Sequence, residues 1–291
     1  MQVCAWCSTP LGPGSARLPG RIQCAVCGTG TTTPWPSDAD LDIAYASYRP
    51  ATGRFGGPGD AVLRRLRARL AHRIDRISPP GAVLDVGSGD GTLLCALRER
   101  GREAQGIERE PGEGVVAADV REVEGRWAAI VFWHSLEHLR EPGIAFDHAA
   151  DSLLPGGVMF VAAPNAESLE ARALGDRWLA LDPPRHLVHL PLRAVVDRAR
   201  ARGLELHRIS HVRGGQAVFN WLHGLVAYLP GRPHLYDAIR RPEARSRPMS
   251  PARRAGTLAV SVPLLPVAAV LALAEAALRR GGSFYVELRR T

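Results

Sequence analysis

The sequence contains no lysine, so all 37 of its basic residues are arginines. Its net charge of +8 would ordinarily indicate a nucleic acid or an anionic membrane as a partner. Alanine, glycine and proline are also abundant, and we therefore interpret the arginine excess as a bias of amino-acid usage rather than as a selected binding surface. We expect no nucleic-acid partner on the ground of charge alone.

The chain is also poor in cysteine, and its start lacks the features of a secretory leader. Residues 1–9 show no charged region followed by an apolar run, so no signal peptide is recognisable there. Four of the five cysteines form two C-x-x-C pairs, which favours a metal site over disulfide bonds. A charged share of 23% beside a hydrophobic share of 46% excludes a disordered or fibrous chain. We expect a globular, cytoplasmic protein.

Four regions succeed one another along the 291 residues. A cysteine- and glycine-rich module is followed by a linker and a helix with an apolar face, then by an α/β domain that a long apolar insertion interrupts. The predicted boundaries are 1–40 for the first module, 41–80 for the linker and helix, 81–213 with 283–291 for the α/β domain, and 214–282 for the insertion.

The α/β domain alternates short apolar runs with helical patterns, which is typical of a parallel sheet covered by helices. Strands are predicted over 82–86, 103–107, 114–118, 128–133, 157–162, 204–210 and 283–288, and helices over 91–100 and 192–202. The helix before the domain, 61–77, is predicted to carry Val62, Leu63, Leu66, Leu70 and Ile74 on one apolar face.

A glycine-rich turn between the first strand and its helix is the most informative segment. Residues 83–91 read Val-Leu-Asp-Val-Gly-Ser-Gly-Asp-Gly, in which glycines let the backbone lie against a ligand and the helix start offers unpaired N–H groups. Dinucleotide-binding enzymes use a similar turn, but with G-x-G-x-x-G spacing. Glu108 ends the next strand, where a carboxylate would accept both ribose hydroxyls of an adenosine group. Asp119, after the third strand, is placed to accept the adenine amine.

The sequence resembles the class I S-adenosylmethionine-dependent methyltransferases over 81–210 and 283–288. Besides the glycine turn, the resemblance is carried by Gly106-Ile107-Glu108, by the Phe132 to Leu139 segment and by Leu153-Leu154-Pro155-Gly156-Gly157. It implies a Rossmann-like fold with a mostly parallel seven-stranded sheet. The cofactor-binding residues that it implies are Asp85, Gly87, Ser88, Gly89, Gly91, Glu108, Asp119, Trp133 and His134. One departure is the short segment 109–114, which leaves no room for the family's helix between the second and third strands.

More narrowly, the sequence resembles a bacterial subgroup of these enzymes that acts on small molecules. Three segments carry this resemblance, namely Ala163-Pro164-Asn165, Gly175-Asp176-Arg177-Trp178 and Pro184-Arg185-His186-Leu187. Ubiquinone-type O-methyltransferases carry a Glu-His pair where this chain has Glu137 and His138, and there the pair holds or deprotonates the acceptor. The catalytic residues implied are therefore Glu137, His138 and His186. The alternatives are that Glu137 and His138 cap the next helix and that Arg185 and His186 only fix their loop.

The first module is interpreted as a zinc ribbon. Cys4, Cys7, Cys24 and Cys27 supply four thiolates in two C-x-x-C pairs, the ligand set of a closed tetrahedral Zn²⁺ site. Such a site organises a segment too small to fold alone. Whether the ribbon is purely structural or also binds a partner stays open at this point.

The insertion carries two apolar stretches, 216–229 and 257–278, on either side of an arginine- and proline-rich loop. The second is long enough to span a bilayer, but a single span would separate the strand 283–288 from its sheet. The remaining interpretations are a lid over the cleft and a hairpin lying on an anionic membrane surface. Either one favours a hydrophobic or lipid-like acceptor and, for the hairpin, peripheral membrane contact through 214–282.

The function predicted from these observations is methyl transfer from S-adenosylmethionine to an oxygen of a small acceptor. Carbon is the second choice of atom, because some sugar C-methyltransferases also begin with a cysteine-rich zinc module. Two alternatives from other classes are a zinc-ribbon nucleic-acid-binding protein and a non-catalytic membrane-associated scaffold. The first would need aromatic residues among its arginines, and helix 61–77 has none.

Overall fold

A computed structural model describes residues 2–46, 57–110, 112–211 and 215–291. Residues 47–56 of the predicted linker and the predicted boundary at residue 213 lie outside these residues. The described elements fall into a small N-terminal sheet, a large mixed α/β layer structure, and a helical insertion before the last strand.

The central sheet has seven strands, and its topology confirms the predicted fold. The strand order is β10-β11-β8-β7-β4-β5-β6, and only β11 runs antiparallel to its neighbours. Its strands are β4 (Val83–Val86), β5 (Ala104–Ile107), β6 (Val115–Ala117), β7 (Trp127–Trp133), β8 (Leu153–Pro164), β10 (Leu204–Ser210) and β11 (Ser283–Arg290). All seven predicted strands are therefore present.

Two details of the sheet bear on the predictions. β8 begins at Leu153 rather than at residue 157, because Leu153 already pairs with Trp127 before a register shift in the ladder. Between β5 and β6 no helix occurs in the residues that the structure describes, 108–110 and 112–114, as the short connection predicted.

Helices cover both faces of this sheet. They are α2 (Gly57–Ile77) and α3 (Thr92–Arg98) on one face, and α4 (Pro142–Asp151) and α6 (Leu192–Ala201) on the other. The short helices α1 (Asp38–Tyr45) and α5 (Leu169–Leu174) flank the carboxyl ends of the strands. The predicted apolar face of α2 is only partly buried, since Val62, Leu63 and Leu66 are exposed. This helix is about 30 Å long, far longer than the strands it covers, and only its second half, from Leu70, packs on the core.

An N-terminal sheet is built from β1 (Ala16–Leu18), β2 (Arg21–Gln23), β3 (Gly30–Thr32) and, from the α/β domain, β9 (Val188–His189). The ribbon is thus joined to the large domain by strand pairing between β3 and β9. Trp6 adds a second attachment, because its indole nitrogen donates to the carbonyl of Ala194 and its ring packs against Phe146. The sequence analysis predicted neither strands in this module nor this junction.

The insertion forms α7 (Gly215–Ala227), α8 (Leu235–Ile239) and α9 (Pro251–Ala277), which confirms that it is helical. α9 is long and apolar enough to cross a membrane, but β11 directly after it pairs with both β8 and β10. The buried residues of α9 are small or polar, namely Thr257, Ser261, Ala268, Ala272 and Glu275, and Leu258, Leu264 and Leu271 are partly buried beside them. Other large apolar side chains point outward, among them Val262, Val270 and Leu273, each about two-thirds exposed.

Candidate functional site

The glycine turn closes the carboxyl end of β4 as predicted. Gly87, Gly89 and Gly91 have φ values of 82°, 67° and 70°, in the left-handed region that favours glycine. A Cβ on Gly87 would collide with the side chain of Ser135. The turn therefore needs glycine for its conformation, and at Gly87 for space as well.

Residues after β4, β5 and β6 meet along one edge of the sheet. Glu108 accepts a hydrogen bond from the Gly89 N–H at 2.8 Å, so the acidic residue of β5 lies directly against the glycine turn. Asp119 lies in the wall of a cavity of about 80 Å³ that Val86 and Ile107 also line. Such a slot at the carboxyl ends of parallel strands suits the planar base of a nucleoside.

Asp119 is held in a fixed position within that wall. Its carboxylate receives two hydrogen bonds from the Arg121 guanidinium, which lower the pKa of Asp119, and it also caps the short helical turn Val120–Glu122. The side chain is thus ionised and oriented, and it keeps lone pairs that can accept from an amine. The predicted adenine contact is compatible with this geometry.

Ser88 contributes a further polar atom at the turn. Its hydroxyl oxygen is buried and has no hydrogen-bond partner in the described part of the chain. Asp85, also buried, stands at the end of β4 just before the turn. Both residues are therefore placed with the glycine turn, as predicted for a group that binds a ligand there.

The predicted catalytic residues come together just beyond the end of β7. Glu137 is almost completely buried and accepts from His134 Nδ1 at 3.2 Å, while the imidazole rings of His138 and His186 lie 4.7 Å apart. His134 itself has a φ of 54°, which is uncommon for a residue other than glycine and is often found at functional sites. Two chain segments, 134–138 and 182–186, thus converge on one cluster.

The electrostatics of the cluster keep the carboxylate charged and His138 neutral near pH 7. Burial would raise the pKa of Glu137, but the hydrogen bond from His134 and the nearby histidines lower it to about 2. Burial and the neighbouring His186 lower the pKa of His138 to about 4, despite the opposing effect of Glu137. The His138 ring therefore offers a lone pair rather than a positive charge.

The loop that carries His186 is tied internally. Arg185 makes two hydrogen bonds to the carboxylate of Asp182, and His186 Nδ1 lies 2.8 Å from the carbonyl oxygen of Ala180. The structure thus shows that Arg185 helps to fix the loop. The other alternative, capping, is not observed: α4 begins at Pro142, and no side chain caps it.

Three contacts of the cluster were missed by the sequence analysis. The Tyr45 hydroxyl lies 3.0 Å from His138 Nδ1, the Arg185 carbonyl oxygen lies 2.9 Å from the same nitrogen, and the Thr32 hydroxyl donates to the His186 carbonyl at 2.6 Å. Tyr45 and Thr32 come from segments 93 and 154 residues away along the chain. No local motif marks them, so only the fold reveals their contribution.

Trp133 makes ring contacts on the side of the sheet that α2 covers. Its ring packs edge-on against Tyr285 with centroids 5.9 Å apart, and the Arg67 guanidinium lies 5.1 Å from its centroid. It also lies edge-on to His134, which occupies the cleft side of the strand end. Its predicted role in lining the cofactor cleft stays a prediction.

The four ribbon cysteines form a second compact cluster. The sulfur atoms of Cys4 and Cys27 lie 3.6 Å apart and those of Cys7 and Cys24 lie 3.7 Å apart, far beyond a disulfide bond. Zinc–sulfur bonds of about 2.3 Å in a tetrahedron separate the sulfurs by about 3.8 Å. The cluster thus has the size that a Zn²⁺ site requires.

Both C-x-x-C turns have the same backbone pattern. Ser8 and Gly28 each come directly after a pair in the left-handed conformation, and their N–H groups donate to the carbonyls of Cys4 and Cys24. Because the two turns have the same conformation, each of them directs its two thiols toward a common centre. The donor set and its geometry fit zinc.

Comparison with known proteins gives one family. A family model described as a methyltransferase domain matches residues 61–209. No curated protein matches the chain. Among solved structures, a SAM-dependent methyltransferase from Archaeoglobus fulgidus shares 16% identity, with 78% of this chain and 94% of that chain covered and a TM-score of 0.48.

Two further structures are similar at the same level. The [4+2]-cyclase SpnF shares 20% identity over 77% of this chain and 80% of its own, with a TM-score of 0.45. The CcbJ methyltransferase from Streptomyces caelestis shares 14% identity over 89% of this chain and 100% of its own, with a TM-score of 0.43. Because all three TM-scores are below 0.5, the assignment to a family rests on the family match alone.

Proposed function

Because the chain belongs to the family of methyltransferase domains, we propose that it transfers a methyl group from S-adenosylmethionine to an oxygen of a small, hydrophobic acceptor. The observation that carries the proposal is the cluster of the buried Glu137 with the partly buried His138 and His186, at the strand end that lies beside the glycine turn. The family membership gives the reaction, and the cluster indicates where the acceptor oxygen is held.

The residues along the sheet edge fit the cofactor. Gly87, Gly89 and Gly91 leave the backbone open for the methionine part, with Asp85 and Ser88 beside them, and Glu108 would hold the ribose and Asp119 the adenine. When bound, S-adenosylmethionine supplies a methyl group already activated by a positively charged sulfur. The chain itself then has to align the acceptor and hold its proton.

The cluster is suited to the acceptor side of this reaction. His138 and His186 each have Nδ1 beside a backbone carbonyl oxygen, which orients both rings and favours Nε2 as the atom that accepts a hydrogen bond. Glu137 keeps a negative charge within the cluster and stabilises a proton gained by either ring. An acceptor hydroxyl held by these groups is oriented for attack.

The insertion supports a hydrophobic acceptor. α7 packs against α5 and against the Leu179–Leu181 turn, whose Ala180 carbonyl oxygen holds His186 in place. Apolar helices therefore border the segment that forms the acceptor side of the cluster. A carbon acceptor remains the alternative, since the same rings could take a proton from an acidic C–H group.

A peripheral membrane contact is the second part of the proposal. The outward face of α9 carries Val262, Val270 and Leu273, each about two-thirds exposed, whereas an ordinary surface helix turns a polar face to solvent. Arg253 and Arg254 lie at the start of the helix, where they can meet anionic headgroups. Such a helix lies on the membrane with its apolar face in the interface.

The test of the chemistry is transfer of labelled methyl from S-adenosylmethionine to a panel of hydroxylated acceptors of increasing apolarity. We expect turnover to rise with apolarity, and Glu137→Gln to lower the rate about 100-fold or more, as for loss of a proton-handling group. Glu167→Gln, a half-exposed carboxylate paired with Arg193, is the matched control. NMR of the product identifies the methylated atom. A product methylated on carbon, or no preference for apolar acceptors, would contradict the proposal.

Flotation with anionic vesicles tests the membrane contact. We expect the wild-type protein to float at low salt and to be released as salt is added, because screening weakens the arginine–headgroup attraction. Leu273→Arg should abolish flotation, whereas Val62→Arg, at an exposed apolar position on α2, should leave it unchanged. If neither protein floats, α9 is a lid and not a membrane helix.

The ribbon is proposed to hold one Zn²⁺ through Cys4, Cys7, Cys24 and Cys27. Its strand β3 and Trp6 are bound to the large domain, which supports a structural role. Elemental analysis of the purified protein should find the ion.

A further inference from the structure

The cluster beside the glycine turn has a property that a simple proton relay does not require. Glu137, His138 and His186 each offer one ligand atom, and these atoms all lie within 4.8 Å of one another. Two imidazoles and one carboxylate are a ligand set that transition metals bind, with positions left for water or substrate. Outside the ribbon, no other group of this kind occurs in the described ranges.

The hydrogen bonds around the two histidines have the arrangement that orients metal ligands. His138 Nδ1 lies 2.9 Å from the Arg185 carbonyl oxygen, and His186 Nδ1 lies 2.8 Å from the Ala180 carbonyl oxygen. A carbonyl oxygen can only accept, so in each of these bonds Nδ1 donates and Nε2 keeps its lone pair. The Tyr45 hydroxyl, 3.0 Å from His138 Nδ1, is then a second acceptor for the same N–H. Histidines that bind metals are fixed in this way by a carbonyl or carboxylate behind the ring.

Glu137 provides the independent observation. One of its carboxylate oxygens accepts from His134, but the other, Oε2, is fully buried and has no hydrogen-bond partner among the residues that the structure describes. A buried, partnerless carboxylate oxygen costs free energy, so native proteins seldom keep one without a function. A cation bound there would satisfy it.

We propose that Glu137 Oε2, His138 Nε2 and His186 Nε2 bind a divalent transition-metal ion. Imidazole and carboxylate ligands favour Zn²⁺, Fe²⁺ or Co²⁺ over Mg²⁺, which prefers oxygen ligands. Ligand atoms around such an ion lie about 3–3.5 Å apart, so the cluster has to contract by about 1 Å as it closes on the metal. This proposal concerns a site distinct from the four cysteines.

The ion would define the acceptor class, and this part rests on the proposed methyl transfer. Three protein ligands leave at least one position for an acceptor oxygen, and a bound cation lowers the pKa of a hydroxyl that it holds. The acceptor hydroxyl would lose its proton to water or to a neighbouring base before it attacks the methyl group. Phenols, enols and hydroxy acids fit this requirement better than aliphatic amines do.

Cobalt titration of the full-length protein tests the site. Protein with one zinc per chain, verified by elemental analysis, is titrated with Co²⁺ while visible absorption is recorded. We expect one further equivalent to bind with ligand-field bands but without the thiolate charge-transfer band that binding at the cysteines would produce. Glu137→Gln and His186→Asn should weaken this binding at least tenfold, whereas Glu167→Gln should not. Circular dichroism shows whether each variant is folded. If Glu137→Gln does not fold, His186→Asn still tests the site.

S-adenosylhomocysteine binding is measured on the same samples, so that the two proposals can fail separately. Binding of S-adenosylhomocysteine and full methyl transfer in protein without the second ion would overturn the metal site and leave the proposed function intact. Co²⁺ binding without any S-adenosylhomocysteine binding would overturn the proposed function and leave the metal site. Cobalt bound only with a thiolate band, or bound equally by wild type and Glu137→Gln, also overturns the site.

Discussion

A pair of buried carboxyl groups makes the stability of this protein dependent on pH. Glu170 on α5 and Glu275 on α9 are both fully buried, and the Glu170 backbone N–H donates to Glu275 at 3.2 Å. Burial and the charge of Glu275 raise the pKa of Glu170 to about 8, against hydrogen bonds from Trp178 and Asn220 that lower it. Burial raises the pKa of Glu275 as well.

The direction of the shift fixes the sign of the effect on stability. A carboxyl group whose pKa is higher in the folded than in the unfolded chain binds its proton more tightly when folded. The stability that this bound proton contributes to the folded chain is complete below about pH 4.5 and is lost as the pH rises through about 8. Between pH 6 and pH 8 this single group lowers the free energy of unfolding by about 2 kcal/mol. For a chain of this length that corresponds to about 4 °C in melting temperature.

Glu170→Gln tests this reasoning, because glutamine resembles the protonated acid in shape and in hydrogen bonding. We expect the variant to match the wild type below about pH 4.5, to be more stable already at pH 6, and to gain about a further 4 °C in melting temperature over the wild type between pH 6 and pH 8, in differential scanning calorimetry. Glu167→Gln, on the half-exposed carboxylate paired with Arg193, should behave like the wild type at both pH values. The reasoning is refuted if Glu170→Gln keeps the full pH dependence of the wild type or is less stable at pH 8.

Three other predictions concern separate parts of the molecule. Gly87→Val should abolish binding of S-adenosylhomocysteine in calorimetry, because the added side chain would collide with Ser135 and because valine does not tolerate the left-handed backbone conformation. Wild-type affinity in the variant would exclude the glycine turn as the cofactor site. Cys24→Ser should remove zinc in elemental analysis and lower the melting temperature, and a variant with unchanged melting would contradict a structural ion. Arg73→Met should lower the free energy of unfolding, measured in urea, by about 3 kcal/mol, because the fully buried Glu287 would lose both hydrogen bonds from Arg73. Arg69→Met, at an exposed position of the same helix, is the control. An equal loss of stability in Arg69→Met would refute the explanation.

The sheet could be predicted from the sequence because its signals are local. Each strand is an apolar run next to a glycine turn or an acidic end, and the period of a strand is visible within a few residues. The glycine turn and Glu108 both follow parallel strands, and the carboxyl ends of such strands share one edge of the sheet. The hydrogen bond between Gly89 and Glu108 confirms their proximity.

The features that could not be predicted depend on contacts between distant segments. Nothing in the ribbon sequence indicates that β3 pairs with β9, or that Tyr45 reaches His138. The apolar period on α2 is regular throughout, yet Val62 and Leu66 are exposed because the helix extends beyond the sheet. On α9 the helical pattern predicts a helix correctly but does not show that its small side chains face inward. In each case the packing of distant segments decides which residues are buried or in contact, and the local sequence does not.

The strand pairing between the ribbon and the large domain makes them one cooperative unit. Thr32 donates its backbone N–H to Leu187 and its hydroxyl to His186, so the last ribbon strand directly holds the loop that carries a cluster histidine. Leu187 in turn donates to the carbonyl of Glu137. Local unfolding that begins at the cysteines would therefore disturb Glu137 and His186 through two links, the hydrogen bonds of Thr32 to the 186–187 segment and the hydrogen bond from Leu187 to Glu137. If zinc occupies the four cysteines, its availability would then influence the turnover of this enzyme, although the cysteines lie far from the cluster in sequence and take no part in the proposed chemistry.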